Sequence, residues 1–76
     1  MKNRSDVHAL AGRETRETYQ VLNQTARLAE QEKQWAEAAK YWSNAATFSL
    51  NHTDERYCRR RAEFCTVQGR REVQRG

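Results

Sequence analysis

Apolar residues recur at helical spacing in the middle of the chain, between residues 34 and 50. One stripe, at steps of three and four, consists of Trp35, Ala38, Ala39, Trp42, Ala45 and Ala46. Tyr41 and Phe48 add a second apolar strip beside it, which leaves only part of the circumference polar. A helix that is apolar around most of its girth is normally buried between neighbours. The pattern therefore predicts a central helix from Trp35 to about Ser49.

The residues before this segment predict an earlier helix from Thr15 to about Lys33. Its apolar stripe is formed by Tyr19, Leu22, Ala26 and Ala29. The polar stretch 31–34 has no apolar anchor, and we expect the turn there. Further upstream, Ser5 and Asp6 can cap a short turn and Gly12 can end it. Residues 1–14 are thus expected to form an extension, disordered over 1–4, which is either a short helix or runs into the next one.

The segment after the central helix predicts a third helix from Asp54 to about Gln68. Thr53 is a suitable N-cap, two acidic residues follow it, and Gly69 can supply a left-handed C-cap. Its apolar residues are Tyr57, Cys58, Ala62, Phe64 and Cys65. At 100° per residue Arg61 falls within this apolar arc, while Arg56, Arg59 and Arg60 project to the opposite side.

These elements together predict an all-α fold, a helical hairpin plus a third helix. We expect a three-helix domain over 15–69 and a basic tail over 70–76. The predicted core is Tyr19, Leu22, Ala26, Ala29, Trp35, Ala38, Ala39, Trp42, Ala45, Cys58, Ala62 and Cys65.

The length and composition predict that this core is thin. The chain has 76 residues, of which 37% are hydrophobic, and a domain of this size is near the limit of what one core can stabilise. Three short helices have difficulty enclosing two tryptophans and the other aromatic residues as well. We therefore expect a surface for a dimer or a partner protein that includes Tyr41, Phe48, Tyr57, Arg61 and Phe64. A structural ion pair of Arg61 with Glu30 or Glu37 is favoured over a ligand contact.

The positive charge lies at the end of the chain, because all seven Lys or Arg residues after position 55 are arginine. A basic end of this kind indicates nucleic acid or an acidic protein surface, but an ordinary solvated helix end has the same composition. The candidate nucleic-acid contacts are Arg56, Arg59, Arg60, Arg70 and Arg71. The link 51–53 has no glycine and gives no helix-turn-helix signature, so specific DNA reading is the weaker alternative.

Catalytic and metal-binding chemistry is not indicated. Cys58 and Cys65 lie seven residues apart, roughly 10 Å along a helix, which is too far for a disulfide within it. Buried free thiols are expected, and neither histidine has ligand-like spacing to them. There is no nucleophile–histidine motif and no glycine-rich phosphate loop. We expect a cytoplasmic protein that is not an enzyme, with no cofactor, no metal, no small-molecule substrate and no membrane span.

Residues 33–50 resemble the second half of a tetratricopeptide repeat in their local pattern. Ala38, Trp42 and Ala45 match its small–aromatic–small spacing, and Ala26 matches the small residue of the preceding helix. Gln34 stands where the repeat has glycine, and Leu50 stands where it has its closing proline. One repeat cannot bury its own face, so the third helix is expected to act as the cap.

At the level of family, residues 26–65 resemble the AraC negative regulators (the ANR family), small proteins of bacteria and phages. The resemblance lies in the run 26–30, in Trp35, Ala38-Ala39, Trp42 and Ala45, and in the ending Arg61…Phe64-Cys65. Tyr57-Cys58 replaces a tryptophan that the family often has. The PerC-like activators are similar too, through Ala-Ala-x-x-Trp and Arg-x-x-x-Cys.

This resemblance implies a small regulator that binds an AraC-type transcription activator and inhibits it by protein–protein contact. A homodimer is expected separately, from the surplus of aromatic residues. Two alternatives stay open: a DNA-binding activator of the PerC-like kind, and a phage accessory protein that binds another host factor.

Overall fold

A computed structural model describes the backbone of residues 4–75 and the side chains of residues 14–75. Within this range the chain is all-α, as predicted, and contains three helices: α1 (Arg4–Gln31), α2 (Trp35–Thr47) and α3 (His52–Arg75). Of the residues predicted to be disordered, 1–4, the first three lie outside the described residues, and Arg4 is the first residue of α1. No helix in the described range is both long and apolar enough to cross a membrane.

The turn between α1 and α2 lies where the polar stretch predicts it, at residues 32–34. The Gln34 N–H donates to the Ala29 carbonyl at 2.9 Å, and the Lys33 N–H donates to the Glu30 carbonyl at 2.9 Å. This pair of bonds is a Schellman motif. Lys33 occupies its left-handed position with φ of 59°. The motif turns the chain back on itself, so α1 and α2 form the predicted hairpin.

The N-cap of α3 is Asn51, and the prediction of Thr53 is wrong. Asn51 Oδ1 accepts the Asp54 N–H at 2.8 Å, and Asn51 Nδ2 donates to Asp54 Oδ2 at 2.9 Å. Asparagine caps at least as well as threonine, and here its amide also bonds the carboxylate of the first turn. The helix therefore begins at His52, inside the predicted break.

Neither Gly12 nor Gly69 ends a helix. The predicted stop at Gly69 is wrong, while at Gly12 the segment runs into the next helix, which is one of the two alternatives left open. α1 runs from Arg4 through Gly12, and α3 runs through Gly69 to Arg75. Neither glycine has the positive φ that a left-handed C-cap requires. Gly69 instead permits close packing, because a Cβ built there would lie 3.2 Å from Trp35 Cβ. Residues 70–75 are consequently helical.

The core of the described residues is small in volume. Its nine buried members are six alanines, two cysteines and one tryptophan: Ala26, Ala29, Ala38, Ala45, Ala46, Ala62, Cys58, Cys65 and Trp42. Tyr19, Leu22, Trp35, Ala39 and Tyr41 are partly buried against them. The residues predicted as core are thus buried or packed against the core. Alanine lets the helix backbones approach closely but contributes little apolar area.

The middle helix, α2, packs against both neighbours. Its contacts with α3 pair Trp35 with Phe64 and Trp42 with Tyr57, so these two helices are antiparallel. α1 and α3 run in the same direction, since Tyr19 meets Cys58 and Glu30 meets Cys65. The extents of 60 × 20 × 15 Å describe an elongated molecule.

Candidate protein-binding surface

The carboxylate of Glu30, near the end of α1, connects all three helices. Glu30 Oε1 accepts hydrogen bonds from Arg61 Nε at 2.8 Å, Cys65 Sγ at 2.9 Å and Trp42 Nε1 at 3.2 Å. Glu30 Oε2 accepts a bond from the terminal guanidinium nitrogen Nη2 of Arg61 at 3.0 Å. Arg61 therefore makes the predicted structural ion pair, and its partner is Glu30. The fork geometry fixes the guanidinium in one orientation.

Two opposing effects act on the pKa of Glu30. Burial by itself would raise this pKa, because desolvation disfavours the carboxylate. The hydrogen bonds from Arg61, Cys65 and Trp42, with the charge of Arg61, outweigh burial and lower the pKa below its ordinary value. The pKa of Arg61 is raised in turn, chiefly by its bond to Glu30. Both groups are charged at neutral pH, so the pair holds α1 against α3 as ions.

Tyr57, Arg61 and Phe64 form a continuous surface row, which we call the α3 ridge. Tyr57 packs edge-on against Trp42 with ring centroids 5.6 Å apart, and Phe64 packs edge-on against Trp35 at 6.1 Å. The guanidinium carbon of Arg61 lies 4.4 Å from the centre of the Phe64 ring. Tyr57 stays 47% exposed and Phe64 39% exposed. Each ring is thus held in place on one side and open to solvent on the other.

The structure does not bring all five predicted interface residues together. Tyr41 on α2, and Phe48 directly after it, lie about 100–120° around the α2 axis from Trp42, on a different flank from the α3 ridge. Tyr41 is half-buried against the core, and Phe48, just after the helix, is 38% exposed. The five residues therefore divide into the α3 ridge and a separate pair, Tyr41 and Phe48.

The two cysteines are free thiols, and both are buried. Burial, then the hydrogen bond to Glu30, raises the pKa of Cys65 to about 12. Desolvation likewise raises the pKa of Cys58, which donates to the Tyr19 hydroxyl at 3.7 Å. A thiol with a raised pKa carries almost no thiolate at neutral pH and is a poor nucleophile. In the described part of the chain, no cluster of three or more His, Cys, Asp or Glu side chains is arranged to hold a metal.

All five candidate nucleic-acid arginines, Arg56, Arg59, Arg60, Arg70 and Arg71, are exposed on α3. Arg59 forms an exposed salt bridge with Glu55 at 3.5 Å. The helical continuation past Gly69 places Arg70 and Arg71 on the same rod as the other three. Sequence reasoning assigned them to a separate tail.

Further exposed apolar side chains were missed by the sequence analysis. They are Val21, Leu28, Leu50, Val67 and Val73. Val73 also lines an open, largely apolar groove of about 790 Å³ between the start of α2 and the end of α3, together with Trp35, Ala39 and Gly69. The groove could have been predicted only if α3 had been expected to continue past Gly69. The glycine at this position instead indicates the end of a helix.

Comparisons with known proteins add no relative: no family model, no curated protein and no solved structure matches the chain.

Proposed function

We propose that this protein is a small non-enzymatic regulator of bacterial transcription that acts in the cytoplasm by protein–protein contact. Its partner is an AraC-type transcription activator, which it inhibits. The α3 ridge is the contact surface, and Tyr57 and Phe64 are its anchors.

The proposal rests on one observation: the ordered rings of Tyr57 and Phe64 are exposed beside Arg61, which is fixed in orientation. Tyrosine and arginine are enriched among residues that dominate the energetics of protein interfaces, and phenylalanine is enriched at interfaces generally. A ring already oriented by an edge-on contact loses little conformational entropy on binding. The Glu30 pair similarly orients Arg61 before a partner arrives.

The choice of partner rests on the resemblance of residues 26–65 to the AraC negative regulators. The geometry of the α3 ridge fits that choice, because one convex helical face can occupy an apolar groove on a dimerisation or linker surface. The exposed ridge also suits a homodimer, in which two copies would cover one another's rings.

The test is direct binding to purified AraC-type activators, measured by calorimetry with the full chain. We expect the double substitution Tyr57→Ala and Phe64→Ala to weaken binding at least tenfold. A matched control substitutes Val21→Ala and Leu28→Ala, which removes exposed apolar side chains from α1 and should leave the affinity within twofold. Circular dichroism establishes that both variants stay helical.

Two results would contradict the proposal. One is that no activator binds the wild-type chain. The other is that the α1 control loses as much affinity as the α3 ridge variant, which would place the contact elsewhere.

A further inference from the structure

We propose that α3 carries a second surface, an arginine stripe that binds the phosphate backbone of nucleic acid. The stripe consists of Arg56, Arg59, Arg60, Arg70 and Arg71. This binding is independent of the sequence of the bases and goes beyond the proposed contact with a transcription activator.

The stripe is straight because α3 is one continuous helix from His52 to Arg75. At 100° per residue the five arginines fall within an arc of about 120°, on the side of the helix away from the buried Cys58 and Cys65. From Arg56 to Arg71 the helix rises about 22 Å. One strand of a DNA duplex presents about six phosphates over the same length.

Most of these guanidinium groups are available to a ligand. Among the described residues, Arg56, Arg60, Arg70 and Arg71 have neither a salt bridge nor a hydrogen bond from their side chains, and all four are exposed. Only Arg59 is paired, through its exposed contact with Glu55. A guanidinium group can bind two phosphate oxygens at once and always keeps its charge.

The composition of the stripe favours nucleic acid over an acidic protein. Protein interfaces have an apolar or aromatic centre that is depleted of charge, whereas nucleic-acid interfaces are polar and strongly positive. Within the arc of the stripe, Val67 is the one large apolar side chain among the described residues. The exposed rings of Tyr57 and Phe64 lie on the neighbouring flank of α3, towards α2.

Substituting Glu63 tests whether the arginine stripe binds phosphate directly or only contributes to the fold. This residue lies inside the stripe between Arg59, Arg60 and Arg70, is exposed, and forms no salt bridge within the described residues. Its carboxylate repels phosphate, so Glu63→Gln should tighten binding by about threefold at low salt. The matched control is Glu37→Gln on α2, which makes the same change of charge away from the stripe and should have a smaller effect.

The main experiment measures binding of a 30-base-pair duplex of arbitrary sequence by fluorescence anisotropy between 50 and 200 mM salt. Four phosphate contacts predict a slope of log K against log salt of about −3.6. The triple substitution Arg56→Gln, Arg60→Gln and Arg71→Gln should flatten this slope to about −1 and weaken binding at least tenfold at 100 mM salt. Repeating the titration with one strand of the duplex shows whether double-stranded or single-stranded DNA is bound more tightly.

A matched triple variant controls for total charge. Arg16→Gln, Arg27→Gln and Lys40→Gln remove three exposed positive charges from α1 and α2 and should change affinity less than threefold. The proposal is overturned if the wild-type chain does not bind either form of DNA at 50 mM salt, or if the two triple variants lose the same affinity. It is also overturned if polyglutamate competes as effectively as DNA at equal charge, because the stripe would then be a site for acidic protein.

Discussion

Single residues explain how a core with so little apolar volume is held in one arrangement. Glu30 accepts four hydrogen bonds from α2 and α3, which is about the full acceptor capacity of a carboxylate. The Cys65 thiol and the Trp42 indole would otherwise be buried donors with no partner from another helix. An Ala-rich core leaves few other contacts that fix the rotation of the helices, and this network does so.

Substituting Glu30→Gln should therefore destabilise the fold by about 1–3 kcal/mol. The amide keeps the shape of the side chain but loses the charge that pairs with Arg61, and Arg61 is itself partly exposed, so screening limits the loss. Urea unfolding at neutral pH measures the change. Glu37→Gln on the exposed side of α2 is the control and should stay within about 0.5 kcal/mol of wild type. Equal effects of the two substitutions would show that the Glu30 network contributes nothing specific.

The same carboxylate gives a prediction for pH. The folded-state pKa of Glu30 lies below its ordinary value of 4.5, so the unfolded chain binds more protons as the pH falls. The stabilisation is complete above about pH 4.5 and is lost as the pH falls through the lower, folded-state pKa. The difference in unfolding free energy between wild type and Glu30→Gln should shrink from pH 6 to pH 3. If the difference in unfolding free energy stays constant from pH 6 to pH 3, the lowered pKa of Glu30 is contradicted.

The pairing of Arg61 could be anticipated from the sequence because its place on the apolar arc requires a partner. The sequence left Glu30 and Glu37 equally open. Only the packing of α1 and α3 on either side of α2 brings Glu30 within reach of Arg61.

At the level of the helices, position and type were predictable, but the ends of α1 and α3 were not. The periodicity of the apolar residues locates all three helices. The stop at Gly69 was wrong because a glycine inside a helix costs only about 1 kcal/mol, which packing offsets. At Gly69 the packing that offsets this cost is the close approach of Trp35. The sequence indicates Thr53 as the cap of α3, and only the backbone shows that Asn51, two residues earlier, accepts the Asp54 N–H.

The cap of α3 gives a paired prediction. Asn51→Ala should lower the unfolding free energy by about 1 kcal/mol, because the Asp54 N–H loses its side-chain acceptor. Thr53→Ala should leave stability nearly unchanged, since Thr53 lies inside the first turn. Thermal unfolding followed by circular dichroism compares the two variants. A larger loss from Thr53→Ala would restore the boundary that the sequence predicted.

The turn between α1 and α2 predicts a stabilising substitution. Lys33 has a φ of 59°, where any residue with a Cβ is strained, so Lys33→Gly should raise the unfolding free energy by about 1 kcal/mol. Lys40→Gly, in the middle of α2, should lower it by about the same amount. Chemical denaturation of the two variants measures both effects. A loss of stability from Lys33→Gly would show that the Schellman turn is not formed.

At the level of the whole molecule, the elongated fold leaves more apolar side chains outside than its core can hold. The buried residues are mostly alanine, while Tyr57, Phe64, Leu28 and Val21 keep a third or more of their surface exposed. The sequence predicted this surplus from length and aromatic content. It could not predict how the surplus divides, because Tyr41 and Phe48 lie on a different flank from the α3 ridge. We infer that association with another protein completes the apolar contacts.

The role of the α3 ridge is tested by mapping its contact with an AraC-type activator in solution. Amide chemical shifts of the ¹⁵N-labelled chain would be recorded by nuclear magnetic resonance during titration with the unlabelled activator. If the α3 ridge is the contact surface, the largest changes occur at Tyr57, Arg61, Phe64 and their neighbours on α3. Changes confined to α1, or no change at saturating activator, would contradict this role.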